Sequence, residues 1–499
     1  MRTKPRRILL IAPPFYRLFK NTYSQYYFPL GLGYLAGAIL MDTTWEVKVY
    51  NSDFSVCGGR PNIRYLVGPG FHNYLKHLRD PGAPIWHEIR SVIAQYRPTV
   101  VGVTATSPAF ASACVVAKLA KEIDPGIITM VGGPHPSMVQ EEALTCSNFT
   151  VAAVGEAEST VVEVLKAIEA DRSLNNIPGI LYCWEDRIIR NEPRRPIADL
   201  DRLSFPNEVA VKVLQDYHRH PVRAFRSVLA TRGCPYNCLF CGSREVWGRH
   251  HRCRSVVSVV KEIQRLRLRG LRFVHFTDDT FGVNRRYLEN LCHALRMHCP
   301  GLTWSCETHV KLVNEDTVRL MKAAGCHLIS IGIESGNNEI LRQVRKNITA
   351  EQALAACETI RKCGIRVNAF IQVGFPQETE ETLADTIALM KKIKCSRLTY
   401  SVFTPYPGTE AYEVCRQRGL IGDSFDASLY NHHSPMNCFT SEIPQERFRQ
   451  LASRIERMVV RKNFFNRMKD LFSIYGLRRA CEEGWRSAWS EFGRILLGD

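Results

Sequence analysis

Long apolar runs are missing from this chain. Nowhere in its 499 residues does a stretch approach the about 18 apolar residues that a membrane-crossing helix needs. The opening M-R-T-K-P-R-R-I-L-L-I-A-P-P-F imitates an export signal, but Pro13 and Pro14 break the run and no small-residue cleavage site follows. It reads instead as a first strand, Arg7 to Ala12. The G-x-G-x-x-G fingerprint is absent, which argues against a dinucleotide site. RNA-binding motifs are absent as well. Lys and Arg (66) outnumber Asp and Glu (49) for a net charge of +17, but they are spread along the chain, so nucleic acid is not the expected partner. An anionic small substrate, a membrane surface or an Arg-rich exterior explains the balance equally well. Framework spacing of a secreted disulfide protein is also lacking. Most of the 18 cysteines scatter singly, as at Cys57, Cys114, Cys292, Cys326 and Cys395, which fits a reducing cytosol.

One stretch breaks that scatter. Thr231 to Gly242 reads T-R-G-C-P-Y-N-C-L-F-C-G and places Cys234, Cys238 and Cys241 at CxxxCxxC spacing. The apolar run Ser227 to Ala230 precedes it, so a strand ends in a tight loop carrying three thiols. Three thiolates can hold three irons of a cubic [4Fe–4S] cluster and leave the fourth iron open to a small molecule. Zinc would need a fourth ligand, for which Cys253 or His250 could be recruited. Buried cysteines acting as small hydrophobes are the other reading.

Phe240 stands directly before the third cysteine. Cys234, Cys238, Phe240 and Cys241 together resemble the radical S-adenosylmethionine (SAM) superfamily signature, CxxxCxφC with φ aromatic. That resemblance implies an oxygen-poor setting and SAM chelated at the open iron. It also implies an electron donor such as flavodoxin or ferredoxin, and a 5′-deoxyadenosyl radical that takes hydrogen from an unactivated carbon. The catalytic and metal-binding residues would be Cys234, Cys238 and Cys241.

Upstream, strands and helices alternate from residue 5 to about 175. The expected strands are 7–12, 45–50, 99–106, 127–132 and 151–154, with helices at 29–40, 110–123 and from Ser159. Five such strands make an open parallel sheet with ligands at the carboxyl ends. The order resembles the cobalamin-binding domain that precedes many radical SAM cores. The matching points are P-L-G-L-G-Y (Pro29 to Tyr34), T-A-T-S (Thr104 to Ser107), V-G-G-P-H (Val131 to His135) and G-E-A-E (Gly155 to Glu158). The resemblance implies cobalamin contacts at Thr106, Ser107, Gly132, Gly133, His135, Gly155 and Glu156, with glycines letting backbone approach a wide flat ring. Domains that ligate cobalt from below carry DxHxxG after the first strand. Here the loop Pro13 to Phe28 holds no histidine, and Asp53 to Gly58 has the same outline with Ser in place of His but follows the second strand.

Residues 176 to 222 read as a connector: a short strand pair around Glu185-Asp186, then a proline-marked linker. From 223 to 424 a strand–helix alternation recurs six times and fits a partial (β/α)₆ barrel, the superfamily's usual core, with chemistry at the strand ends. Asp278, after the second strand, is read either as a helix N-cap or, by resemblance, as a holder of the SAM amino group. G-I-E-S-G puts Glu334 and Ser335 at the fourth strand's end, where a carboxylate suits ribose hydroxyls. Gly374, in the fifth loop, would let backbone near adenine.

The region 425–499 reads as helical. It contains His432-His433 and Cys438, a 445–471 helix with Phe448, Leu451, Ile455, Met458 and Val459 on one face, and a tail with Trp485, Trp489, Phe492 and Ile495 at amphipathic spacing. Its helices either pack on the core or lie on a membrane. The expectation is an α/β protein: a doubly wound cobalamin-binding domain, a partial radical SAM barrel and a small helical region. Cofactors would be a [4Fe–4S] cluster, SAM and cobalamin, and the reaction methylation of an unactivated carbon in an anionic or lipid-like small molecule. A cobalamin-dependent oxidative cyclase or rearrangement enzyme is the alternative, and a non-catalytic cobalamin or Fe–S binding protein the reading from another class.

Overall fold

The computed structural model describes residues 6–56, 58–59, 63–145, 148–185, 187–422, 425–432 and 434–471. His433, Asp186 and the 485–495 tail fall outside them. Two sheets organise the chain. The first has seven strands: β1 (Arg7–Ala12), β2 (Glu46–Asn51), β3 (Val100–Thr104), β4 (Ile128–Gly132), β5 (Val151–Ala153), β6 (Ile180–Trp184) and β7 (Arg187–Arg190), in the order β2-β1-β3-β4-β5-β6-β7. β1 to β5 pair in parallel, and their buried Val, Ile and Leu side chains are those of a sheet covered on both faces.

Three features differ from the expectation. The strand pair assigned to the connector belongs to this sheet, since β6 pairs antiparallel with β5 and covers its edge. Helices Pro69–Arg79 and Pro84–Tyr96, each opened by proline, fill the β2-to-β3 crossover and bury Tyr74, Trp86, Ile89 and Ile93. The connector is not merely extended. Its helix Pro206–Val213 lies on helix Leu30–Asp42, and Val213, Leu214 and Phe225 join the core of Ile8 and Leu10.

That helix pair explains two glycines. A Cβ on Gly33 would sit 2.7 Å from the Cβ of Pro206, and one on Gly37 would strike the Ser204 hydroxyl. Both face the connector, not a ligand. Gly31, on the other side, lines open space.

The second sheet holds β8 (Ser227–Val228), β11 (Phe273–Phe276), β12 (Thr303–Thr308), β13 (Cys326–Glu334), β14 (Arg366–Val373) and β15 (Arg397–Val402), in the order β15-β14-β13-β12-β11-β8, all parallel. The expected first barrel strand is split. After β8 the chain leaves the sheet, and β9 (Thr231–Arg232) pairs antiparallel with β10 (Arg252–Cys253).

The open edge at β15 is covered by the helix Gln445–Leu471. Phe448, Ile455 and Val459 are buried in the barrel core. Asn463 bonds both backbone groups of Leu398, accepting from its N–H and donating to its C=O at 2.8 Å each. The apolar face of this helix is therefore occupied by the barrel. No helix among the described residues is long and apolar enough to cross a membrane.

Candidate active site

The carboxyl ends of both sheets face one cavity of about 950 Å³. Its walls come from Ala12, Thr104, Gly132 and Ala153 on the first sheet's side, and from Arg232, Cys241 to Ser243, Asp279 and Tyr406 on the barrel's side.

The cysteine loop hangs over this cavity. Gly233 takes φ +95°, and a side chain there would strike the His250 carbonyl. Tyr236 stacks on buried His309 with ring centroids 3.7 Å apart, and the Leu239 N–H donates to the Val344 carbonyl at 3.0 Å. These contacts fix the loop from Cys234 to Cys241. Cys234 Sγ lies 3.1 Å from Thr280 Oγ1, and Cys241 is exposed on the cavity wall. Burial pushes the Cys238 thiol up to about 11. Among the described residues no three His, Cys, Asp or Glu are already gathered as a metal site, and the three thiols lie within electrostatic reach of one another. Cys253, the alternative fourth ligand, is paired opposite Thr231 in the β9–β10 hairpin.

Beside the loop sits an ion pair. Lys346 Nζ lies 2.8 Å from Glu334 Oε1, both almost fully buried. Glu334 has φ +70° at a register shift in β13, and a Cβ on Gly332 would sit 2.7 Å from Lys346 Nζ. The glycine makes room for the pair. Burial alone would lower the Lys346 ammonium, but Glu334 and Cys238 outweigh it and hold it raised. Lys346 was not anticipated, since its partner is recognisable only in the folded chain.

Several expected contacts are engaged elsewhere. Asp278 is 1% exposed and accepts from the N–H groups of Ala230 and Thr231 and the Thr231 hydroxyl. It secures the bend between β8 and β9 and is absent from the cavity lining. Burial pushes it up to about 7 against those hydrogen bonds. Its neighbour Asp279 lines the cavity and accepts from Ser243 Oγ at 2.9 Å. Ser335 is fully buried and bonded to Thr386 Oγ1 at 3.0 Å. Gly374, at φ +86°, makes its close approach to the Phe448 ring, 2.7 Å from an added Cβ, and its N–H bonds Glu378. Phe240 packs on Phe375 with centroids 5.8 Å apart.

On the other wall, Thr106, Ser107, Gly132, Gly133, Gly155 and Glu156 all line the cavity. His135 does not. It is 5% exposed, with Nδ1 3.0 Å from Ser107 Oγ and its ring against Phe110, and burial pushes it down to about 4. The histidine in the lining, among the described residues, is His432 from the C-terminal segment.

Where the two walls meet, Arg232 reaches across the seam. Its guanidinium bonds Glu156 at 2.8 Å and Glu158 at 2.6 Å, all three buried. Arg252 reaches Glu156 at 2.8 Å. Burial would raise Glu156, but hydrogen bonds from Arg252 and Arg232 hold its carboxyl below the usual range. Arg232 also lies over the rings of Tyr34 and Trp247.

A second contact across the seam is steric. Met138, from the first domain, packs against Gly242, where an added Cβ would strike its sulfur, and against Gly408, 2.6 Å from its Cβ. Gly242→Ala is expected to cost about 1–3 kcal/mol in thermal denaturation. Met138→Ala in the same chain should restore part of that loss, whereas independent effects would add.

The radical SAM superfamily profile matches residues 228–390, and the B12 binding domain profile matches residues 16–165. An uncharacterized methyltransferase of Pyrococcus horikoshii is 30% identical over 421 residues, covering 84% of this chain and 85% of that one. The chain belongs to the cobalamin-binding radical SAM family. This radical SAM enzyme is also 26% identical over 423 residues to the anaerobic magnesium-protoporphyrin IX monomethyl ester cyclase of Rubrivivax gelatinosus, covering 82% of this chain and 75% of that one. Its fold is that of the radical SAM methyltransferase TsrM of Kitasatospora setae with cobalamin and [4Fe–4S] cluster bound: TM-score 0.67 at 17% identity, covering 91% of this chain and 89% of that one.

The family's cofactors are a [4Fe–4S] cluster, SAM and cobalamin, and the residues present suit them. Three thiols on one loop are the donor set of a cluster with one open iron. A broad, mostly apolar cavity floored by Gly31, Gly132 and Gly155 suits a flat macrocycle. A Cβ on Gly31 would meet nothing within 4 Å, and on Gly132 or Gly155 nothing nearer than 3.7 Å, so each would protrude into the cavity. Tyr34 also lines this cavity, and its buried hydroxyl has no partner among the described residues.

Proposed function

We propose that this radical SAM enzyme methylates an unactivated carbon of a small molecule. The observation that carries the reading is the single cavity onto which the cysteine loop and the glycine-floored wall both open. Bound there, a cluster would supply the electron for SAM cleavage and a cobalamin would supply the methyl group. Cys234, Cys238 and Cys241 hold the cluster. Glu334, held in place by Lys346, accepts from the SAM ribose hydroxyls, and Asp279 takes the amino-group role first assigned to Asp278. Thr106, Ser107, Gly132, Gly133, Gly155 and Tyr34 cradle the cobalamin. Arg232, Glu156 and Glu158 hold the two walls in register, since positioning is the protein's main contribution to such chemistry.

An electron donor of the flavodoxin or ferredoxin kind serves the cluster. A cytosolic setting is supported by the cysteines, all free thiols among the described residues.

Anaerobic turnover with methyl-labelled SAM tests the proposal. One labelled methyl group per acceptor consumed is the expected result. A product without label, formed with deoxyadenosine, would replace it by the cyclase or rearrangement reading.

A further inference from the structure

We propose that Tyr16, Tyr27, Tyr406 and His432 form the acceptor subsite, and that the acceptor is a neutral, largely apolar, ring-bearing molecule. This rests on the methyltransferase reading and names its substrate class.

Three distant parts of the chain supply these residues. Tyr16 and Tyr27 come from the loop after β1, Tyr406 from the loop after β15, and His432 from the segment beyond it. The last two lie outside both matched family spans. All four line the cavity. The Tyr406 and His432 rings meet edge to face, with centroids 5.5 Å apart. Tyr16 is within electrostatic reach of Tyr27 and Tyr406, and His432 within reach of Glu334, the proposed SAM contact. Tyr27 is a lining residue whose ring keeps accessible surface while its hydroxyl is enclosed.

Charge decides the class. Among the described lining residues the one cation is Arg232, already paired with two carboxylates. The other charges are negative. Asp53 accepts from the N–H groups of Phe15 and Arg17, and Asp279 from Ser243. A phosphate, phosphonate or carboxylate placed here would meet repulsion and, among the described lining residues, no unpaired cation. The net charge of +17 therefore resides mainly off the cavity. The hydrogen-bonding groups of the subsite are themselves neutral: burial raises the tyrosine hydroxyls and lowers the His432 imidazolium. Aromatic walls with a few neutral polar tips bind rings and reject ions.

The test uses the full chain reconstituted with cluster and cobalamin, methyl-labelled SAM, and an extract of cells lacking the gene. The extract is split into a solvent-soluble neutral fraction and a fraction retained on an anion exchanger. Label entering the neutral fraction is the expected result, and label confined to the anionic fraction overturns the proposal. If the neutral fraction stimulates deoxyadenosine formation without gaining label, the substrate class stands and the methyl-transfer reading fails. Stimulation by neither fraction overturns both. At limiting extract, His432→Asp should cut label incorporation at least tenfold and His432→Phe less than threefold. Equal losses would make His432 a folding contact and remove it from the subsite.

Discussion

Replacing Cys234, Cys238 and Cys241 together by alanine removes the iron–sulfur absorbance of the reconstituted protein and lowers deoxyadenosine formation under dithionite by about a thousandfold or more, toward the uncatalysed rate. The thiolates are the only groups on the loop able to hold the cluster. Cys253 is held opposite Thr231 in the β9–β10 hairpin, off the loop. The loop's own anchors, the Tyr236–His309 stack and the Leu239 to Val344 hydrogen bond, involve none of the three sulfurs. The variant should therefore keep its far-ultraviolet dichroism and still bind cobalamin. Deoxyadenosine at the wild-type rate would remove the basis of the proposed function.

Arg232→Met is expected to have the largest effect on stability, about 3–5 kcal/mol, because it leaves Glu158 without its partner and Glu156 with Arg252 and the Ile197 N–H alone. The side chains of Arg232, Glu156 and Glu158 are 3%, 2% and 8% exposed, so water does little to screen the loss. Urea denaturation measures it, and proteolysis of the linker should become faster as the seam loosens. Arg232→Met combined with Glu156→Gln and Glu158→Gln should recover much of the deficit, since no buried charge is then stranded. The same network sets an acid limit. The Glu156 carboxyl is depressed in the folded chain, so its contribution is complete above the unfolded value of about 4.3 and is lost as pH falls through the lower folded one. Glu156→Gln should flatten the stability profile below about pH 4.3.

The parts of the fold written in local pattern were legible. Apolar runs marked ten of the eleven parallel strands of the two sheets within a few residues, and helices 110–123 and 445–471 were bounded by their periodicity. β8 is the partial miss, because its bend depends on Asp278, 47 residues away from Thr231. The β6–β7 hairpin was visible as a pair, but the sequence carries no mark of which edge it joins. Glycine misled in a specific way. In P-L-G-L-G-Y the residue type signals close approach without saying to what, and Gly31 serves the cavity while Gly33 serves the connector.

The site divides along the same line. The cysteine triplet is legible because the chemistry requires those residues at that spacing. Arg232 and Lys346 were not, because a lone cation gains its meaning from a distant carboxylate: Glu156 is 76 positions from Arg232. Adjacent acids were distinguished only by folding, Asp278 turning to the backbone and Asp279 to the cavity.

Asn463 carries one last consequence. A barrel of six strands that does not close ends in a row of unsatisfied amides, which recruits further strands from other molecules. By giving Leu398 a donor and an acceptor from one side chain, the asparagine ends sheet growth at β15 without adding a strand. The half-barrel is thereby capped against polymerisation.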